Sequence, residues 1–270
     1  MFQDIAQYFR IETLPHIWCP GCGIGTITAA IVRAIQALQL DQNNVIFVSG
    51  IGCSSRMPGY LDFNTIHTTH GRALAFATGI KAARPNLDVF VVMGDGDSTA
   101  IGGNHLIHAA RRNIDLTAIV INNSIYGMTG GQTSPLTPYD KRGTTSPYGN
   151  LERPFQILDL CEAAGATYGG RATAYHNQIL TKLIMDAYNN SGFSIVEAIS
   201  QCPVSYGRKN RFKTPADMLL WQKEHAIKSG QIPVSEEDFP IGEIFKRQRP
   251  EYTHEYEKLR KKLREASAYD

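Results

Sequence analysis

Net charge is nearly absent from this sequence. Its 27 Lys and Arg against 25 Asp and Glu in 270 residues leave a formal +2, so its bulk electrostatics favour neither nucleic acid nor a lipid surface. Long apolar runs free of helix breakers are also missing. The longest uncharged stretches, Thr13 to Val32 and Leu116 to Tyr139, are broken by Pro15, Pro20, the Asn122/Asn123 pair, Pro135 and several glycines, and neither reads as a membrane-spanning helix. The start, Met1 to Ala6, has no basic region leading into an apolar core and a cleavage site, so no secretory signal is expected. These absences predict a cytoplasmic protein without a membrane or nucleic-acid partner. Cysteine is scarce as well: Cys19, Cys22, Cys53, Cys161 and Cys202 are too few and too scattered for a disulfide scaffold, which leaves metal or redox chemistry as their better use.

What is present is an α/β pattern. The apolar runs 44–48, 89–93, 116–121 and 195–199 are mostly rich in β-branched residues and lack polar alternation, as strands covered on both faces do. Helix-length segments at 25–38, 71–84, 102–113, 155–164 and 176–189 alternate with them. The expected fold is therefore a mostly parallel twisted sheet flanked by helices, filling residues 1–210. Residues 211–270 read as a helical C-terminal extension packed on the same domain or on a partner chain. Thr214, Pro215 and Asp217 supply an N-cap, a first-turn proline and a first-turn acid for one helix. The highly charged last twenty residues read as a second helix with a solvated face.

Gly94-Asp95-Gly96-Asp97 follows directly on the run ending at Met93, where a doubly wound sheet places its ligand crevice. Glycines there let the backbone approach a phosphate, and Asp95 offers a hard oxygen to a cation such as Mg²⁺. The pair Asn122-Asn123 ends the next run, 28 positions on from Asp95 to Asn123. That interval fits one right-handed crossover, so Asp95 and Asn123 should emerge from neighbouring strands at one sheet edge, with the carbonyl of Ile125 as a further ligand. The uncharged loop Tyr126 to Pro135 can wrap a diphosphate with its amides. The combination resembles the thiamine diphosphate motif.

Trp18-Cys19-Pro20-Gly21-Cys22-Gly23 is a Cys-x-x-Cys knuckle, and Cys53 and Cys202 each follow an expected strand. Four thiolates can converge near the crevice on tetrahedral zinc, as a redox dithiol, or on a [4Fe-4S] cluster, and spacing alone does not separate zinc from iron–sulfur. One local pair joined by two isolated cysteines, each beside the crevice, favours a cluster with a functional neighbour. Cys161, within a helical segment, reads as a small core residue.

Taken together and in this order, Cys-Pro-Gly-Cys-Gly, Ile51-Gly52-Cys53-Ser54, Thr69-His70-Gly71-Arg72-Ala73, Gly-Asp-Gly-Asp, the Asn pair, Tyr126-Gly127-Met128-Thr129-Gly130-Gly131-Gln132 and the late Cys-Pro resemble the β subunits of 2-oxoacid:ferredoxin oxidoreductases over roughly residues 15–210. The resemblance implies that Cys19, Cys22, Cys53 and Cys202 hold a [4Fe-4S] cluster. It implies that Asp95, Asn123 and the Ile125 carbonyl bind Mg²⁺, and that Ile51, Gly52, Cys53, Ser54, His70, Gly96, Asp97, Gly127, Met128, Thr129, Gly130, Gly131 and Gln132 contact thiamine diphosphate. His70 is the one catalytic candidate, because the resemblance puts the activating glutamate on an α subunit that carries the pyrimidine-binding domain.

It further implies a hetero-oligomer such as (αβ)2 that decarboxylates a 2-oxoacid with coenzyme A and passes electrons to ferredoxin. The 126–132 loop is similar to that of members acting on 2-oxoglutarate; broad-specificity relatives tend to place a lysine where Gly130 stands, and pyruvate or branched-chain 2-oxoacids are the alternatives. The segment His67 to Arg72 offers groups for a second carboxylate. A non-redox thiamine enzyme would leave the four cysteines idle, and a zinc-stabilised interaction module would leave Gly-Asp-Gly and the Asn pair idle.

Overall fold

The computed structural model describes residues 5–267. Residues 1–4, where the signal reading begins, and 268–270 of the charged tail lie outside the described residues. One eight-stranded sheet in the order β2-β1-β3-β4-β6-β5-β8-β7 organises the chain. Its strands are β1 (Val45–Ser49), β2 (Asn64–His67), β3 (Asp88–Gly94), β4 (Leu116–Asn122), β5 (Tyr168–Thr173), β6 (Phe193–Ile199), β7 (Ala226–Lys228) and β8 (Phe239–Lys246). All pairings are parallel except that of β5 with β8.

Period-two alternation divides the core into two layers. Phe47, Phe90, Val92, Ile119 and Val196 face one side, where α1 (Ile24–Ala37) packs on the helix Asn177–Asn189. Val48, Val91, Met93, Val120 and Ile195 face the other, under α2 (Ala73–Ala83), the helices Gly103–Arg112 and Ile157–Ala164, and buried Cys161. In α1 the fully buried Ile24, Ile27, Ile31 and Ile35 recur at three- and four-residue steps, the stripe a helix needs to bury one side. Each such isoleucine contributes about 1.5–3 kcal/mol of transfer free energy. Among the described residues no helix is long and apolar enough to cross a membrane.

The four expected strands and five expected helices stand within two residues of their predicted bounds, but two strands within residues 1–210 escaped the sequence pattern. β2 is a polar edge strand, Asn-Thr-Ile-His, with no buried residue. β5 reads Tyr-Gly-Gly-Arg-Ala-Thr and is buried throughout, although its glycines depress strand propensity. Gly169 is required there because the Phe245 ring lies against it, and a Cβ would overlap that ring.

The extension over 211–270 is corrected in the same way, being only partly helical. The Thr214 cap closes as expected, Asp217 donating its amide to Thr214 Oγ1 at 3.2 Å and accepting the Thr214 amide at 2.8 Å, and it opens the helix Pro215–His225. Beyond that helix β8 returns to pair antiparallel with β5, burying Ile241 and Phe245. Pro240 and Gly242 conceal this strand in the sequence. The charged tail is helical over Tyr252–Ser267.

If β8 is integral to the sheet, Phe245→Ala should destabilise the chain by about 3–5 kcal/mol and Gly169→Ala by about 1–3 kcal/mol in urea unfolding. A loss below about 1 kcal/mol in both would detach the extension from the core.

Candidate active site

Strands β1, β3, β4 and β6 are consecutive parallel neighbours, so their carboxyl ends lie along one edge. Gly50 to Ser54 leave β1, Asp95 follows β3, Asn123 follows β4, and Cys202 stands three residues beyond β6. The chain lays β2 on one side of β1 and β3 on the other, which makes this edge the switch point where doubly wound sheets bind ligands.

Asp95 is buried at 3% exposure. Its carboxylate accepts the Ser134 hydroxyl at 2.6 Å on Oδ2 and the amides of Gly96 and Ile125. Burial dominates and pushes its pKa up to about 6 against those donors. One crossover away, Asn123 has a buried Oδ1 with no partner, an acceptor that folding has removed from water and left available to a cation. The donor set of a buried carboxylate and an unsatisfied amide oxygen therefore fits a hard divalent ion.

Asp97 organises the loops rather than standing open to them. Its Oδ1 accepts the Gly71 amide at 2.6 Å and the Ile51 amide at 3.3 Å, and lies 2.7 Å from His70 Nδ1. Burial raises its pKa against these donors. The staple brings the Ile51 and His70 segments to Gly94-Asp95-Gly96. Ser54 is buried beside Gly94, whereas Ile51 is exposed and Gly52 faces open space. Gly96 must be glycine, since a Cβ would enter the ring of Tyr126.

The loop that follows closes on itself. Gln132 O accepts the Tyr126 amide at 2.9 Å, Tyr126 O accepts the Gly131 amide at 2.8 Å, and the Thr129 hydroxyl donates to Gln132 Oε1 at 2.6 Å, leaving Met128 exposed. Arg72 Nη1 donates to the carbonyls of Ile101 at 3.1 Å and His70 at 3.4 Å and so ties two loops together. Sequence reasoning overlooked Ser134, the packing role of Tyr126 and Ser205, whose hydroxyl donates to Gly127 O at 3.2 Å. The hydroxyl content of the 126–135 loop was the only trace of Ser134.

The structure brings the four selected cysteines together. A Cβ placed on Gly127 would stand 3.5 Å from Cys53 Sγ and 3.6 Å from Cys202 Sγ. Burial pushes Cys22 up to about 12, with the nearby Cys202, Cys53 and Cys19 adding to the rise against the Ile24 amide. Burial pushes Cys53 up to about 11, helped by Cys202, Cys19 and Asp95 and opposed by the Met128 amide. Cys202 is raised by burial against the amides of Ser205 and Tyr206 and the Ser205 hydroxyl. Thiols that oppose each other's ionisation are disposed to share a cation, and amides already directed at three of them suit bound thiolates. Among the described residues, however, no three His, Cys, Asp or Glu side chains are set to hold a single ion. Cys161 is fully buried in the core layer, as expected.

In the metal-free chain iodoacetamide should alkylate exposed Cys19 first and buried Cys161 last. Peptide mass spectrometry showing equal rates at these two would contradict the arrangement.

Residues 50–198 match the family model of the thiamine pyrophosphate enzyme C-terminal, cofactor-binding domain. The chain is 51% identical over 265 residues to a 2-oxoglutarate synthase subunit KorB of Archaeoglobus fulgidus, covering 98% of this chain and 97% of that one. It is 50% identical over 250 residues to its namesake in Methanothermobacter thermautotrophicus, covering 91% and 87%. A solved 2-oxoglutarate:ferredoxin oxidoreductase from Magnetococcus marinus, with 2-oxoglutarate, coenzyme A and succinyl-CoA bound, superimposes with a TM-score of 0.85 at 34% identity over 96% of this chain and 90% of its own. With the crevice, the buried acid and the thiol group all in the expected order, the chain belongs to the thiamine diphosphate-binding β subunits of the 2-oxoacid:ferredoxin oxidoreductases, the family of the KorB subunits.

Proposed function

We propose that this chain is the β subunit of a 2-oxoglutarate:ferredoxin oxidoreductase, interconverting 2-oxoglutarate and succinyl-CoA with coenzyme A and ferredoxin. The observation that carries the reading is the meeting at Gly127 of the thiol group and the diphosphate loop. When bound, thiamine diphosphate supplies the decarboxylation chemistry and the cluster the one-electron steps.

The chain's own residues then have separate tasks. Asp95, Asn123 and the Ile125 carbonyl hold Mg²⁺, and with it the diphosphate. Gly130 and Gly131, at φ +111° and +92°, turn the loop backbone around the phosphates, a conformation that residues with a Cβ rarely adopt. Gly96, held clear for Tyr126, keeps that wall close. His70 is exposed enough to reach a ligand, with its Nδ1 2.7 Å from Asp97 Oδ1. Cys19, Cys22, Cys53 and Cys202 carry the [4Fe-4S] cluster. One local Cys-x-x-Cys pair joined by two isolated cysteines, each following a strand at the crevice, supports a cluster with a functional neighbour over a structural zinc.

A chain with one such unit accommodates the diphosphate limb, so the pyrimidine limb and the activating glutamate belong to an α subunit, as in an (αβ)2 assembly. The relatives' description as synthase subunits supports a multi-subunit enzyme.

Serine at any of the four cysteines should lower the iron content of the complex and abolish electron transfer, while Cys161→Ser leaves both intact; equal iron loss at Cys161 refutes the ligand set. Divalent-cation affinity should fall about tenfold per pH unit below pH 6, because metal must then displace the Asp95 proton. The same raised pKa means that the native metal-free chain binds this proton more tightly than the unfolded chain, so Asp95 contributes stability that grows as pH falls from 7 toward 4. A flat cation affinity from pH 7 to 5 removes Asp95 from the site. On the assembled complex, kcat/KM should favour 2-oxoglutarate over pyruvate and 2-oxoisovalerate, since a site built for a second carboxylate leaves polar groups unpaired without one. Preference for either of the others overturns the substrate assignment alone.

A further inference from the structure

Behind the edge, two buried charged side chains, Arg171 and Glu197, and the half-buried Asn122 have no part in the site as described. Arg171 and Glu197 are register partners on β5 and β6 and form an ion pair, Nε to Oε2 at 2.6 Å, with side chains 11% and 5% exposed. The other carboxylate oxygen, Oε1, accepts Asn122 Nδ2 at 2.7 Å. Asn122 Oδ1 in turn accepts the amide of Ser124 at 3.0 Å.

An ion pair inside a sheet is a poor source of stability, since well-packed apolar residues often replace one without loss. Here it has a different consequence. The two ends of an asparagine amide are alike in shape and opposite in hydrogen bonding. A carboxylate only accepts, so Glu197 draws Nδ2 toward itself and turns Oδ1 toward the Ser124 amide. Ser124 sits at φ +61°, a left-handed conformation unfavourable for a residue with a Cβ. Asn122 holds its amide, and the Thr137 hydroxyl donates to its carbonyl at 2.6 Å. The residues on either side of this turn are Asn123, with its unpartnered buried Oδ1, and Ile125, whose amide reaches Asp95.

We propose that Asn122, oriented by the Glu197–Arg171 pair, is a positioning residue that fixes the turn presenting Asn123 and Ile125 to the divalent cation; this rests on the cation-site reading above. Groups that orient metal ligands typically contribute 10–100-fold to metal affinity.

The test uses the assembled complex stripped of divalent cation and titrated with Mn²⁺ in the presence of thiamine diphosphate, with free Mn²⁺ read by electron paramagnetic resonance. Arg171→Met with Glu197→Leu removes the acceptor for Asn122 and should weaken Mn²⁺ 10–100-fold, with the melting temperature and cluster absorption held. Arg171→Met with Glu197→Gln removes the charges but keeps an acceptor oxygen, and should bind within about threefold of wild type. Asn122→Ala should lose as much as the first double variant, and combining the two should lose no more than either. Wild-type affinity in the Leu double variant, or equal loss in both double variants, overturns the proposal. If the Leu double variant does not fold, Asn122→Ala decides alone, and unchanged affinity there also overturns it. Asp95→Ala is the control: weakened binding ties the signal to this site, and unchanged binding refutes the cation-site reading itself.

Discussion

Four neighbouring strands, β1, β3, β4 and β6, run in one direction, and the rest of the molecule follows from that constraint. Parallel pairing requires a crossover between strands, so residues far apart in sequence emerge side by side at one edge. Asp95 and Asn123 are brought to the ends of adjacent strands in this way, and Cys53 and Cys202 reach the same edge from either flank. Both faces of the sheet are covered by helices, which leaves that edge as the place where backbone polar groups and glycines meet a crevice. A similar edge in an antiparallel sheet would point alternate strand ends away from each other.

The two proposed cofactor limbs are built as one object. Met128 belongs to the diphosphate loop and directs its amide at Cys53, Ser205 donates to the Gly127 carbonyl beside Cys202, and Asp95 adds to the rise in the Cys53 pKa. A thiolate and a carboxylate that feel each other across a buried gap are both stabilised when cations arrive, so the burial that raises their pKa values in the metal-free chain also prepares them to bind. In the proposed function this contact is the short path between the bond being broken and the electron acceptor.

Much of this was legible in the sequence because it rests on local signals. The strands rich in β-branched residues, the isoleucine stripe of α1 and the cap at Thr214 each declare themselves within one element. The cysteine and Asp–Asn groupings were legible because strand ends supply a shared edge. What stayed hidden depends on partners distant in sequence. β5 and β8 are strands because Gly169 admits Phe245, and neither residue signals this alone. Arg72, which the sequence offered for a substrate carboxylate, also uses its Nη1 to tie the carbonyls of Ile101 and His70, a contact no spacing signals. Ser134 and Asn122 act through hydrogen bonds to the buried carboxylates of Asp95 and Glu197, a relation that composition and spacing do not encode.

The central claim is that the loop around Gly127 joins the two cofactor limbs in one working site. Freeze-quench electron paramagnetic resonance on the assembled complex tests it most directly, comparing wild type with Asp95→Ala after mixing with 2-oxoglutarate and coenzyme A. The account predicts a reduced-cluster signal within turnover time in wild type and none in Asp95→Ala, whose cluster still reduces with dithionite. Substrate-driven reduction of the cluster in Asp95→Ala, or its failure in wild type, would contradict it.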